Sequence, residues 1–152
     1  MTSRWQGRLA RAALLPALIP LTFVTSGCGF SFCVGSGCDS GTIEFGSDTQ
    51  QSKSGGALSI VGKTDTFRPG QRIAMLAYLS EQAGTRTLAL DVTSKHSHRS
   101  VPYRIADAKD NEIGTVFSRS DLNVLGITTP GTYTFRVLHG SKELAKGSMT
   151  EM

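Results

Sequence analysis

Residues 57–152 predict a small all-β domain, an antiparallel β-sandwich of about seven strands. Apolar residues recur at every second position through most of the segment. Gly, Pro, Asp and Asn interrupt that alternation at intervals of about eight to twelve residues, the spacing of short strands joined by turns. No stretch keeps a helical apolar period for three turns.

The elements follow in order. Ala57-Leu58-Ser59-Ile60-Val61 opens the domain as a first strand, and Arg68-Pro69-Gly70 then turns the chain. In 72–80, Ile73, Met75, Ala77 and Leu79 share one face, while Ala74, Leu76 and Tyr78 make the other face apolar as well. That double pattern predicts a central strand covered on both sides. Glu81-Gln82-Ala83-Gly84 reads as a hairpin into 86–93, with Leu88, Leu90 and Val92 inward. Val101, Tyr103 and Ile105 alternate next, and Pro102 assigns that strand to a sheet edge. Residues 107–112 have the composition of a solvated turn. Residues 113–117 and 122–127 predict two short strands or one broken one. Pro130-Gly131 starts 132–138, where Tyr133, Phe135 and Val137 line one face. A loop at 139–142 leads into the closing strand, 143–149.

The stretch Pro130-Gly131-Thr132-Tyr133-Thr134-Phe135-Arg136-Val137 resembles the penultimate strand of immunoglobulin-like and fibronectin-like domains. The resemblance implies a structural role for Tyr133, whose hydroxyl would tie down a neighbouring loop. The central Trp of those families has no counterpart, because Trp5 is the single tryptophan and precedes the domain. Their paired core cysteines are missing too, which disfavours an antibody-type domain and leaves a more generic sandwich.

The N-terminus has a different character. Arg4, Arg8 and Arg11 precede an apolar run, Ala-Ala-Leu-Leu-Pro-Ala-Leu-Ile-Pro-Leu-Thr-Phe-Val at 12–24. A basic leader, a short apolar core and small residues make a secretory signal. As a helix the run would rise only about 20 Å, short of a hydrocarbon core of about 30 Å. It ends in Thr25-Ser26-Gly27-Cys28, which resembles the lipobox of bacterial lipoproteins, with Thr25 where that family usually has Leu. The resemblance implies removal of residues 1–27 and acylation of Cys28. Two or three acyl chains, at about 0.8 kcal/mol per buried methylene, would hold the chain stably at a membrane.

The chain has three cysteines, so lipid on Cys28 leaves Cys33 and Cys38 as a pair. An oxidising compartment favours a Cys33–Cys38 disulfide across Val34-Gly35-Ser36-Gly37. A zinc site would need a second Cys pair, and a thioredoxin-like redox site would need Cys-x-x-Cys in a βαβ unit. Between the cysteines and the domain, half of the 22 residues in 35–56 are Gly or Ser. We therefore read 28–56 as a flexible Cys/Gly/Ser-rich tether, with Thr42-Ile43-Glu44-Phe45 as an isolated strand-forming stretch inside it.

The net charge of +4 comes from the leader: residues 1–27 hold three of the 16 basic residues and none of the 12 acids. What remains is nearly neutral and has no basic cluster, which argues against nucleic acid as a partner.

Lys95-His96-Ser97-His98-Arg99 is the most provocative run for chemistry. His96 and His98 would project from one side of a strand and, with His139, could hold a metal. The flanking cations oppose that, and an exposed polar loop is the simpler reading. Asp107, Asp110, Asn111 and Glu112 lack the glycine and terminal Glu spacing of an EF-hand. No nucleophile elbow or phosphate-binding P-loop occurs in the domain. The expectation is a lipid-anchored protein of the cell envelope on the extracytoplasmic side of the cell membrane. It would be a non-enzymatic binding or interaction module without a cofactor, with a possible envelope protein partner. The edge near Pro102 and the loops 81–84, 95–99 and 139–142 would be its contact surfaces. The alternative is an exported metal-dependent hydrolase, or a metal or small-molecule carrier, built on His96, His98 and His139.

Overall fold

The computed structural model describes residues 40–53 and 56–152. Within them ten strands and one short helix follow in the order β1 (Thr42–Gly46), β2 (Asp48–Gln51), β3 (Leu58–Val61), β4 (Thr66–Phe67), β5 (Ile73–Tyr78), β6 (Thr87–Thr93), β7 (His98–Arg104), β8 (Glu112–Phe117), α1 (Arg119–Val124), β9 (Gly131–His139) and β10 (Lys142–Glu151). The fold is all-β. One sheet runs β7-β6-β9-β10-β1-β5-β8, with β4 beside β10, and β2 and β3 form a separate hairpin. The pairing is antiparallel except at β10, which runs parallel to β1 and to β4. That corrects the purely antiparallel expectation.

The sheet curls strongly. In a flat sheet β8 and β9 would lie four strand spacings apart, about 19 Å. Instead the rings of Phe117 on β8 and Phe135 on β9 are 6.1 Å apart, and Phe45 on β1 meets Phe135 edge-on at 5.0 Å. Each strand thereby turns its inward face onto one core, in which Phe135 is 0 % exposed. The curl turns at β1, which pairs with β10 only through Thr42 and Lys146 before running along β5. A Cβ on Gly147 would lie 2.5 Å from the Ile43 carbonyl, so only glycine lets β10 pass β1 this closely. The two edges, β7 and β8, approach each other across a seam. There the Tyr103 hydroxyl lies 3.4 Å from the Gly114 carbonyl. Burial raises the Tyr103 pKa, partly opposed by its hydrogen bond with Thr115.

Three expectations need correction. Residues 42–51 are not tether. Ile43 and Phe45 alternate into the core, and β1 pairs with β5 over five residues. The isolated apolar pair was enough, because it completes a sheet rather than standing alone. The β2–β3 hairpin covers the outer face of β5. Leu58 and Thr49 close over Gly114 and Leu76, and the Leu58 amide donates to Glu112 at 3.0 Å. All six residues of β5 are consequently buried, as the double apolar pattern requires. Second, residues 81–84 do not make a hairpin. β5 lies between β1 and β8 while β6 lies between β7 and β9, so this loop crosses the core. Third, the predicted strand at 122–127 is a helix and its exit. Ser118 caps α1 by accepting from the Asp121 amide at 3.2 Å, and Asp121 accepts from the Ser118 amide at 2.8 Å. This reciprocal cap satisfies two free amides and starts a helix that its apolar pattern does not announce. β7 does form an edge, with Pro102 opposite Ala89.

Candidate functional site

The register separates the histidines. His98 faces Thr93 at one end of β6, whereas His139 follows Leu138, which faces Ala89 near the other end. Five residues of strand amount to about 17 Å, so His98 and His139 cannot share one ion. His98 instead approaches Asp91, with Nε2 3.3 Å from Oδ2. His96 sits in the 94–97 turn, where its amide donates to the Ser94 hydroxyl. The arrangement does not support a hydrolase or metal carrier built on His96, His98 and His139. In the 107–110 turn the carboxylates serve their own backbone: Asp110 accepts from the Asp107 amide, and Asp107 accepts from the Lys109 amide.

The contact loops also divide. Residues 81–84 and 139–142 meet at one end, together with 107–111, while 95–99 belongs to the other end. At the first end the loops are laced by backbone hydrogen bonds. The amides of Leu79, Ser80, Ala83 and Gly84 donate to the carbonyls of Asn111, Leu144, Asp110 and Ala108 at 2.8–3.0 Å. Lys142 pairs with Glu81 at 2.6 Å, and Ala83 is fully buried. The chain enters the described domain here, where the Gly41 amide donates to the Tyr78 carbonyl.

The opposite end is open. Between the 69–72 turn, α1 and the 127–130 segment lies a cleft of about 600 Å³. Phe117, Leu122 and Ile127 give it apolar walls, Gln71 and Asn123 bring amides, and Arg72, Arg119 and Glu151 bring charge. The wall is fixed locally. The Tyr133 hydroxyl donates to the Thr129 carbonyl at 2.6 Å, and the Ile127 amide donates to the Leu122 carbonyl at 2.8 Å. Arg72 lies 3.6 Å from Asp48 in an exposed pair, and Arg119 makes no ion pair among the described residues. One oxygen of Glu151 is enclosed without a hydrogen-bond partner. Val124 and Met152, 62 % and 55 % exposed, belong to α1 and to the chain end beside Glu151. Sequence reasoning missed Arg72 and Arg119. The usable signal was Ser118-x-x-Asp121, which marks a helix start beside Phe117.

Cys28, Cys33 and Cys38, with the leader, lie outside the described residues. No family model and no curated protein matches this chain. Among solved structures it is similar to the crystal structure of an immunoglobulin-like protein from Pseudomonas aeruginosa. The two share 18% identity and a TM-score of 0.46, over 74% of this chain and 93% of that one.

Proposed function

We propose that the chain is an exported, lipid-anchored cell-envelope protein whose β-domain is a non-catalytic, immunoglobulin-like binding module. The observation that carries the anchor is the leader itself. Arg4, Arg8 and Arg11, an apolar run too short to span a bilayer, and Ser26-Gly27-Cys28 are the parts that processing and acylation of Cys28 need. In the mature chain Cys33 and Cys38 would pair.

Support for the immunoglobulin-like reading comes from strand order. β1, β5 and β8 correspond to strands A, B and E of such a sandwich; β6, β9 and β10 correspond to C, F and G, with β7 beside C. Tyr133, near the start of β9, bonds the backbone four residues upstream, as a corner tyrosine does. The chain enters the described domain at the laced end, and the cleft lies at the other end of the described domain.

Intact mass of the protein taken from membranes tests the anchor. The expected species starts at Cys28, carries acyl chains, and is two hydrogens lighter for the Cys33–Cys38 bond. A mass equal to the unprocessed chain overturns the reading.

A further inference from the structure

We propose that the cleft at the open end binds a small-molecule carboxylate with an apolar body, its anion held between Arg72 and Arg119. This deepens the binding-module reading and rests on it. The space, about 600 Å³, falls within the roughly 300–1,000 Å³ typical of small-ligand pockets. Its lining is mixed: Phe117, Leu122 and Ile127 supply apolar surface, and polar and charged side chains make up the larger share.

Charge selects the ligand's head group. Two guanidiniums face the cleft against one acid, Glu151, and one oxygen of that acid is enclosed by protein. Arg119 has no ion pair among the described residues, and the exposed Arg72–Asp48 contact at 3.6 Å holds Arg72 only loosely. Ile73 faces Phe117 in the β5–β8 ladder, so Arg72 and Arg119 leave neighbouring strands at the same end and both line the cleft. The planar fork of arginine donors suits a carboxylate in particular. The apolar part of the lining gives a hydrocarbon body something to pack on, which an inorganic anion would not use. The laced end offers neither feature, because its loops close on one another.

The test is a titration of the full-length, membrane-purified protein with 3-phenylpropionate and, separately, with the neutral amide of the same acid. Amide-proton shifts are followed by NMR. Saturable shifts at Leu122, Ile127 and Thr129 are expected with the acid, and binding at least tenfold weaker with the amide. The Arg72→Gln/Arg119→Gln variant should keep its melting temperature and lose at least tenfold in affinity for the acid. Should that variant unfold, Arg119→Gln alone must still weaken the acid selectively. Equal binding of acid and amide overturns the proposal. So do undiminished affinity in the arginine variants, shifts elsewhere on the domain, and no shift at about 10 mM ligand. The intact-mass result does not depend on this titration, so a silent cleft would leave the anchor standing and a missing anchor would leave the cleft intact.

Discussion

At the end where the chain enters, loops from three parts of the sequence bond to one another. At the far end the turn bonds around the cleft are local in sequence, and the long-range links are those of β10 with residues 65–67, where the Thr150 and Met152 amides donate to the Asp65 and Phe67 carbonyls. Leu79, Ser80, Ala83 and Gly84 donate to residues 24 to 64 positions away, whereas Gln71, Leu122, Leu125 and Tyr133 bond partners only three to five positions away. The first arrangement draws the loops shut over Ala83. The second fixes β10 beside residues 65–67 but, among the described residues, puts no backbone bond between the 69–72 turn and residues 118–130, and the cleft is the gap between them. Closure is therefore a property of who bonds whom, not of loop composition. Both ends are rich in polar turn residues.

The largest change tests what the two ends have in common. Phe135 packs between Phe45 and Phe117 beneath both, so Phe135→Ala should lower stability by about 3–5 kcal/mol in denaturant unfolding. Amide protection should fall at both ends together. Loss confined to one end would mean that the ends do not share a core.

Tyr133→Phe removes the donor that holds Thr129 and should cost about 1–3 kcal/mol. Because Tyr133 is buried while Thr129 lines the cleft, ligand affinity should fall along with the midpoint. An unchanged midpoint would show that the 2.6 Å bond is not stabilising.

On the laced side, Gly84 has φ +70° and a Cβ there would stand 3.3 Å from His139. Gly84→Ala should cost about 1–2 kcal/mol through the left-handed backbone alone. It should leave cleft binding untouched, and weakened binding would mean that the two ends are coupled.

Ser118→Ala should have the smallest effect, about 1 kcal/mol from the lost helix cap. The Ser118 hydroxyl and amide hold the Asp121 carboxyl below its ordinary pKa. A carboxyl lowered in the folded state stabilises it above the unfolded pKa, and that contribution disappears as pH falls through the folded one. The penalty of Ser118→Ala should therefore be full at neutral pH and shrink below about pH 4. Stability of both proteins measured across that range checks it, and a penalty independent of pH would contradict the reciprocal cap.

Much of the sheet was legible because its strands state their own faces. Leu88, Leu90 and Val92, and likewise Tyr133, Phe135 and Val137, are the buried sides of β6 and β9, and Pro102 marks the edge. What was not legible depends on distant partners. Ile43 and Phe45 sit in a Gly/Ser-rich setting that by composition resembles coil. Only their pairing with β5 and contact with Phe135 make them core. The crossing at 81–84 could not be told from a hairpin, because alternation fixes faces but not neighbours. The cleft was hidden for the same reason. Arg72 and Arg119 are 47 positions apart, and nothing local to either residue shows that the fold sets them on one space.

Native-state amide hydrogen exchange tests the contrast between the two ends most directly. The amides of Leu79, Ser80, Ala83 and Gly84 should exchange slowly, close to the rate of the core strands, while those of Leu122, Leu125 and Gly126 exchange much faster. Equal protection at the two ends, or faster exchange at the laced end, would contradict the account.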